Sequence, residues 1–231
     1  MLDTFPDPDS FSYDELVAWI DAGITRLRRT SFSPDVLKSC QPYVFSEDSA
    51  HVCGAEASPA WRRFFLATLF ADWACYEALV DRADYARLKY IMTSAARYFR
   101  VWMCTLPDGQ ILPVGYTGWY PIARFVYDGL QRDPSQIDDR GIFMPLRYVA
   151  PEDIRYAYAF NISIIKELKN TSCSRQMIRS YQKDARSLGK AGIAAITVGA
   201  DGAKLSSMTD FKKSGTVTVQ GESETLFLKD R

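Results

Sequence analysis

Histidine is almost absent from this sequence: among 231 residues there is one, His51. A single imidazole excludes a metal site built from several histidines, and it makes any Ser-His or Cys-His catalytic pair depend on one position. His51 lies in the stretch His51-Val52-Cys53-Gly54, which is typical of a loop. We therefore expect a surface or hydrogen-bonded histidine there rather than a catalytic one.

The cysteines lack the arrangement that a disulfide framework or a zinc site requires. They are odd in number and none belongs to a CxxC pair; the five are Cys40, Cys53, Cys75, Cys104 and Cys173. Such a set predicts free thiols in a reducing compartment. We accordingly expect a cytoplasmic protein that uses no metal ion.

An excess of charge of one sign and long apolar runs are also missing. Lys plus Arg and Asp plus Glu both number 28, so no net basic field is available to hold a nucleic acid or an anionic membrane surface. No apolar run approaches the roughly 20 residues of a membrane span. The start, Met1-Leu2-Asp3-Thr4-Phe5-Pro6, lacks the basic and apolar segments of a secretory signal. With 47% apolar and 24% charged residues, the composition is that of an ordinary globular protein.

The first 96 residues do contain helical periodicity. Apolar residues recur at helical spacing over 12–29, and a second helix is predicted to start at Ser58-Pro59, because a serine cap followed by proline is a helix start signal. Residues 59–95 are expected to be helical and to cover one face of a sheet. The side chains expected in that interface are Trp61, Phe65, Leu69 and Trp73. Residues 31–58 are predicted as a long loop with room for one short helix.

Beyond residue 97 the pattern becomes that of strands. Residues 99–104 and 111–119 form a predicted hairpin around the turn Pro107-Asp108-Gly109-Gln110. The elements predicted after it are a strand at 156–165, a helix at 174–189, a strand at 193–198, a helix at 201–208 and a hairpin of 216–220 with 225–229. Residues 142–149 are compatible with an edge or bulged strand. This alternation predicts an α/β (α+β) fold with a mixed sheet of about six or seven strands.

The order of these predicted strands and helices, together with the residues in them, resembles the GNAT superfamily of acyl-CoA-dependent N-acyltransferases. The resemblance covers about residues 97–231. The hairpin of the family's second and third strands is written here as Phe99-Arg100-Val101-Trp102, Asp108-Gly109 and Pro113-Val114-Gly115-Tyr116. The family's fourth strand runs into a turn of pattern [QR]-x-x-G-x-[GA] and a long helix. Here the corresponding turn reads Lys169-Asn170-Thr171-Ser172-Cys173-Ser174. The end of the last helix, a Gly-Phe pair in the family, corresponds to Asp210-Phe211-Lys212.

The resemblance implies a GNAT-like twisted sheet flanked by helices, with residues 1–96 as a helical N-terminal region and 97–231 as the acyltransferase domain. It also implies that the strands near 156–165 and 193–198 are adjacent and parallel and splay at their C-terminal ends. Pantetheine would then contact the backbone of Ser163, Ile164 and Ile165. The pyrophosphate of acetyl-CoA or another acyl-CoA would bind at Lys169, Asn170, Thr171, Ser172, Cys173, Ser174 and Arg175.

The turn also has a physical case of its own. A strand that enters a helix through small residues leaves backbone N–H groups unpaired at the positive end of the helix dipole, which favours an anion. Ser172 and Ser174 occupy the glycine-like positions, and serine does not adopt positive φ as glycine does, so we expect the loop to differ in detail. The alternative is that Ser172 or Ser174 only caps the helix. Cys173 is either a thiol of lowered pKa or an inert small residue.

The general acid and base are less defined by the sequence. Acyl transfer to an amine needs a base for the incoming ammonium and an acid for the departing thiolate. The resemblance places the acid, usually a tyrosine, where Ser206 stands, and serine is a poor acid. Replacements are Tyr116 or Tyr120 on the second hairpin strand, Tyr156 or Tyr158 on the fourth strand, or a thiol. Glu152, or its neighbour Asp153, is a candidate base, and either is equally compatible with a loop or a helix cap.

The function implied is transfer of an acyl group, most simply acetyl, from acyl-CoA to an amine on a small molecule or a protein. Two alternatives stay open: a GNAT-like binding or structural protein without catalysis, and an acyltransferase that takes its acyl group from an acyl carrier protein. A carrier-protein donor lacks the adenosine end of CoA, so the pyrophosphate turn could relax. No nucleic acid or membrane span is expected, and a homodimer is among the open oligomeric states.

Overall fold

A seven-stranded mixed sheet runs through the chain. The computed structural model describes residues 2, 5–45, 58–133, 142–188, 190–197, 211–219 and 222–230. The strands are β1 (Gln41–Val44), β2 (Phe99–Thr105), β3 (Ile111–Ile122), β4 (Tyr156–Ile164), β5 (Gly192–Thr197), β6 (Lys212–Val219) and β7 (Glu222–Asp230). Their order in the sheet is β1-β2-β3-β4-β5-β7-β6. The predicted hairpin strands are therefore second and third along the chain and Tyr156–Ile164 is the fourth, as the resemblance requires.

The α-helices that accompany the sheet are α1 (Tyr13–Arg29), α2 (Pro34–Ser39), α3 (Pro59–Cys75), α4 (Tyr85–Ala95), α5 (Arg124–Arg132) and α6 (Ser172–Leu188). None of the helices in the described ranges combines the length and the hydropathy that crossing a bilayer requires. The predicted helix at 201–208 and residues 198–210 as a whole lie outside the described residues.

The chain forms two compact units. The first contains residues 1–118 and 161–180, and the second contains 119–160 and 181–231. Neither unit ends at residue 96, so the division into an N-terminal region and an acyltransferase domain stays a prediction. The region predicted as a long loop with room for one short helix, 31–58, contains α2 and also a strand that was not predicted. This strand, β1, pairs antiparallel with β2, with Gln41 opposite Met103 and Val44 opposite Arg100. A four-residue strand depends on its neighbour for stability and carries little periodicity of its own.

Helices α1 and α3 form where their capping signals predict. In α1, Ser12 Oγ accepts a hydrogen bond from the Glu15 amide and the Glu15 carboxylate accepts one from the Ser12 amide, which is a complete capping box. In α3, Ser58 Oγ accepts a hydrogen bond from the Trp61 amide at 3.3 Å, and Pro59 is the first helical residue. The α3 side chains predicted to be buried are buried: Trp61, Phe65, Leu69 and Trp73. This helix packs against β2 as well as against α1 and α4.

Strands β4 and β5 are adjacent and parallel, which confirms that prediction. Their register runs from Tyr156 opposite Gly192 to Ala159 opposite Ala195. The ladder therefore includes only the first four residues of β4, and 160–164 extend beyond it. On the other side of β5 lies β7, which pairs antiparallel with both β5 and β6. The C-terminal hairpin is longer than predicted, since β6 starts at Lys212 and has a bulge between Lys213 and Gly215.

Gly115 permits a close approach between β3 and β4. A Cβ atom at this position would lie 2.5 Å from the carbonyl oxygen of Ser163 and 3.0 Å from Ile164 Cα, which is too close for any side chain. The Ile165 amide also donates to the Val114 carbonyl at 2.9 Å. The lack of a side chain at 115 thus places the end of β4 directly against β3.

The region between β3 and β4 is helical where the sequence left it ambiguous. Helix α5 buries Val126, Tyr127 and Leu130. The strand considered for 142–149 does not form: residues 146–148 are a short 3₁₀ helix that starts directly after Pro145. Proline has no amide hydrogen for a sheet ladder, and its fixed φ suits the start of a helical turn.

Candidate functional site

The connection from β4 to α6 contains a tight turn. After a 3₁₀ helix at Lys166–Leu168, the Thr171 amide donates to the Leu168 carbonyl at 3.3 Å. Lys169 has φ −59° and ψ 140°, and Asn170 has φ 65°. These angles define a type II turn, in which the third residue needs positive φ and asparagine is accepted there. Asn170 is the one non-glycine residue with positive φ in the described ranges. The expected difference from the family's loop is therefore that the strained position falls on Asn170, and not on Ser172 or Ser174.

The serines of this turn do not cap the helix. Ser174 Oγ donates to the Thr171 carbonyl at 3.0 Å, whereas an N-cap side chain accepts from an amide. Ser172 is exposed, and its hydroxyl makes no hydrogen bond with the part of the chain that the structure describes. The interpretation of either serine as only a helix cap is therefore not supported.

The first turn of α6 presents unpaired amides. Within the described chain, the N–H groups of Ser172, Cys173 and Ser174 have no backbone acceptor, and the first intrahelical bond of the turn is from the Arg175 amide to the Thr171 carbonyl. Behind them stands a helix of 17 residues, whose dipole makes this end positive. The side chains of Lys169, Asn170, Ser172 and Arg175 are exposed around it. Cys173 and Ser174 are buried, so only their backbone amides are available to an anion at this turn.

The end of β4 offers part of the predicted pantetheine surface. The Ile165 amide is bonded to Val114, and its carbonyl accepts the Leu168 amide at 3.1 Å. The backbone of Ile165 is thus already occupied, which leaves Ser163 and Ile164 from the three residues predicted. Ser163 Oγ is buried beside the Cys75 thiol, and a hydrogen bond between the two acts on the pKa of Cys75 in the direction opposite to burial.

A buried polar network connects α3, β3 and β4 in the first unit. Tyr116, one of the predicted catalytic residues, donates its hydroxyl hydrogen to Asp72 Oδ1 at 2.7 Å and accepts a hydrogen bond from Asn161 Nδ2. Asn161 also donates to the Tyr76 hydroxyl at 3.2 Å. The other Asp72 oxygen accepts the Ala83 amide at 2.6 Å. Asp72 and Tyr116 are buried, whereas Tyr76 and Asn161 are partly exposed.

Burial controls protonation in this network. It raises the pKa of Asp72 to about 6, although the Ala83 amide, the Tyr116 hydroxyl and two nearby arginines act in the opposite direction. Burial also raises the pKa of Tyr116 and of Tyr76, so both phenols stay neutral near pH 7. Asp72 is thus a carboxyl group that changes its charge close to neutral pH, linked by hydrogen bonds to a strand end at the candidate site.

Asp72→Asn is expected to change how stability depends on pH. An acid whose folded-state pKa is about 6, against 3.8 when unfolded, binds more protons in the folded state between those values, so stability falls as pH rises through this window. The difference of about two pKa units corresponds to on the order of 3 kcal/mol. We expect the wild type to lose about this much relative to Asp72→Asn between pH 4 and pH 7, measured by urea unfolding. Parallel pH profiles for the two proteins would contradict the assignment.

The remaining predicted catalytic residues lie elsewhere. Tyr120 is buried in the second unit and donates to the Met144 carbonyl at 2.7 Å, which accounts for its hydroxyl as a structural anchor. Glu152 is exposed in a 3₁₀ turn of the second unit. Ser206 lies outside the described residues. Asp72, Tyr76 and Asn161 were not predicted from the sequence. Asp72 is 44 residues from Tyr116 and Tyr76 is 85 residues from Asn161, so no local pattern indicates either contact.

A charged pocket adjoins the turn. It has a volume of about 260 Å³ and is lined by Arg28, Ala74, Cys75, Glu77, Lys166, Glu167 and Lys169. Lys166 Nζ lies 2.5 Å from Glu77 Oε1, so part of its charge is internally neutralised. The Cys75 thiol has a pKa raised by burial and stays protonated. The pocket therefore places cationic and anionic side chains next to Lys169, where the turn between β4 and α6 begins.

Comparison with known proteins identifies the fold. No family model and no curated protein sequence matches the chain. Among solved structures, GphF, a GNAT-like decarboxylase in complex with isobutyryl-CoA, matches with a TM-score of 0.53 at 12% identity, over 72% of this chain and 94% of its own. The NatC complex bound to Gag peptide and CoA matches with a TM-score of 0.52 at 7% identity, over 84% and 99% of the two chains. The loading GNATL domain of CurA from Lyngbya majuscula matches with a TM-score of 0.51 at 10% identity, over 83% and 97%.

These structures share the GNAT fold, and so does this chain. The predicted GNAT-like fold is therefore confirmed, including the mixed sheet and its flanking helices.

Proposed function

We propose that the protein is an acyl-CoA-dependent N-acyltransferase that transfers an acyl group, most simply acetyl, to an amine. The observation that carries the proposal is the course of β4. Its parallel ladder with β5 stops at Ala159, it continues to Ile164, and it then enters α6 through the type II turn at Lys169-Asn170. A strand end beyond its ladder, followed by unpaired helix amides, suits an extended thiol ester that carries phosphates.

The two parts of this surface would bind different parts of the donor. The amides of Ser172, Cys173 and Ser174 would receive the pyrophosphate, supported by the exposed cations Lys169 and Arg175. The backbone of Ser163 and Ile164 would receive pantetheine. A serine at position 172 leaves room for a phosphate because its side chain is small and exposed.

The transfer itself requires proton movement. As the acceptor amine attacks the thioester carbonyl, the C–N bond forms, the C–S bond breaks, and the amine proton must leave while the departing thiolate is neutralised. We assign this role to the network of Asp72, Tyr116, Asn161 and Tyr76 because Asn161 lies on β4 two residues before Ser163, on the same face of the strand. Asp72, with its pKa of about 6, is the candidate proton acceptor, reached through Tyr116.

The neutral side chains complete that assignment. Tyr76 is partly exposed and stays protonated, so it can donate a hydrogen bond to the departing sulfur.

A thermal-shift panel with CoA, acetyl-CoA, longer acyl-CoAs and ATP tests the proposal. A ligand present at 100 times its dissociation constant stabilises the folded state by about 2.7 kcal/mol. We expect stabilisation by CoA and its thioesters, and less by ATP, which has phosphates but no pantetheine. A panel with no response would contradict the proposal and favour a non-catalytic GNAT-like protein.

A second candidate, an acyltransferase that uses an acyl carrier protein as its donor, is favoured by one observation. Serines occupy both glycine-like positions of the turn, and the hydroxyl of Ser174 is tied to Thr171. A donor without the adenosine end needs no pyrophosphate site. Adding 4′-phosphopantetheine to the same panel separates the two: a response to it that equals the response to CoA would favour the carrier-protein donor.

A further inference from the structure

Three of the five cysteines meet in the interior of the first unit. Cys40 follows α2, Cys104 lies on β2 and Cys173 belongs to the first turn of α6. The Sγ atoms of Cys40 and Cys104 are 3.0 Å apart, and the Cys173 thiol lies within hydrogen-bonding reach of Cys40. All three side chains are buried. Nothing in the proposed transfer uses these thiols.

Cys40 is the C-cap residue of α2 and immediately precedes β1, one position before the sheet ladder begins. In the antiparallel pair of β1 and β2, Gln41 faces Met103, so extending this register by one position brings residue 40 to residue 104. Opposed residues of antiparallel strands have Cα atoms about 4.5–5.5 Å apart. A disulfide needs a Cα separation of roughly 4.4–6.8 Å. The extended register and the adjacent sulfurs together favour a disulfide between these two residues.

We propose that Cys40 and Cys104 are a reversible disulfide site that a hydroperoxide oxidises, with Cys173 as a third thiol positioned for exchange. This inference does not rest on the proposed acyltransferase function. In the first step the Cys104 thiol gives up its proton and the thiolate attacks one oxygen of hydrogen peroxide. The O–O bond breaks, a sulfenic acid forms, and the departing hydroxide takes up that proton to become water. In the second step the Cys40 sulfur attacks the Cys104 sulfur and hydroxide leaves with the Cys40 proton as water. Two thiols lose two electrons and two protons to the peroxide.

The hydrogen bonds decide which cysteine reacts first. The Cys40 thiol donates to Cys104, and this bond lowers the pKa of Cys104 while raising that of Cys40. The Ser39 hydroxyl lies 3.6 Å from Cys104 Sγ and supports the same thiolate. The thiolate is the reactive form of cysteine, so Cys104 is the attacking sulfur and Cys40 the resolving one.

A short helix separates the thiols from solvent. While Cys104 is protonated, its thiol donates to the Val36 carbonyl in α2 at 3.2 Å, and Cys40 Sγ lies 3.7 Å from the same oxygen. Helix α2 has six residues, and Asp35 at its start is exposed. A helix this short is held by few contacts, so we expect α2 to open locally at low cost in free energy. A small peroxide then reaches the two thiols without global unfolding.

The test treats the full chain with hydrogen peroxide, alkylates the remaining thiols after denaturation and maps the peptides by mass spectrometry. We expect a peptide pair linked through Cys40 and Cys104, lost on reduction with dithiothreitol. The thermal midpoint of the oxidised wild type should be higher than that of the reduced protein, because the link closes a loop across 64 positions of the chain.

Variants distinguish the members of the cluster. Cys104→Ser should abolish the linked peptide and the rise in thermal midpoint, whereas Cys75→Ser, outside the cluster, should leave both unchanged. Circular dichroism reports whether each variant is folded. The peptide map of the oxidised wild type tests the proposal even if a variant does not fold. Absence of any linked pair in oxidised wild type would overturn the proposal. A dominant Cys40–Cys173 link would overturn the assignment of Cys104 as the partner.

Discussion

Replacing Ser172 by glutamate is expected to abolish CoA binding and to leave the fold intact. Ser172 is exposed and is the first residue of α6, and its amide is one of the three that lack an acceptor in the described chain. A carboxylate there would occupy the position assigned to the phosphates and repel them. The same charge is favourable for the helix itself, because it faces the positive end of the dipole. Binding and stability should therefore respond in opposite directions.

Isothermal titration of CoA into matched variants measures this effect. Ser172→Gly restores the residue of the family pattern and should be tolerated or bind more tightly. Lys169→Ala should weaken binding by roughly 1.5–3 kcal/mol, as for loss of a charge-assisted hydrogen bond. Gln176→Glu adds the same charge about one turn further along an exposed part of α6 and should have a much smaller effect. If Ser172→Glu binds CoA as the wild type does, this turn is not the cofactor site.

Replacing Leu69 by asparagine is expected to lower the free energy of unfolding by about 3–8 kcal/mol. Leu69 lies in the middle of α3 and is completely buried. Truncating a buried leucine costs about 2–5 kcal/mol. An amide without partners in an apolar interior adds about 1–3 kcal/mol. Since many domains have only about 5–15 kcal/mol of stability in total, the variant is expected to be near the limit of folding.

Urea unfolding followed by circular dichroism measures the loss. The matched control is Leu79→Asn, the same change at a leucine that is 75% exposed, which should stay within about 0.5 kcal/mol of the wild type. If Leu69→Asn does not fold, Leu69→Ala isolates the packing part and should cost about 2–5 kcal/mol. A change below about 1 kcal/mol would mean that α3 is peripheral to the core.

Local signals in the sequence were sufficient for most of the architecture. Ser12 with Glu15 and Ser58 with Pro59 define helix starts by side chains within three residues of each other. The β4 and β5 strands and the helix between them could be predicted because each has its own periodicity. By contrast, β1 has four residues and exists through its pairing with β2. Its length carries too little pattern to predict.

The candidate site also has one part that the sequence could predict and one part that it could not. The turn between β4 and α6 is contiguous in sequence, so the family pattern predicted where a turn would fall. The turn preference of asparagine also made Asn170 a candidate for the residue with positive φ. The Asp72 network consists of residues that are far apart in sequence, on a helix and two strands. An aspartate inside an apolar helix is a signal in itself, because such a residue is rarely buried without partners. Its partners could only come from the fold.

The two edge strands of the sheet bear on how the protein behaves at high concentration. An exposed edge can template the addition of a strand from another molecule. Here β1 is short and contains Pro42, which lacks an amide hydrogen, and β6 is bulged beside the exposed residues Lys212 and Lys213. Repulsion between lysines and interrupted hydrogen bonding both oppose strand-to-strand aggregation. Association between copies of this chain is therefore expected to use side-chain surfaces and not extension of the sheet.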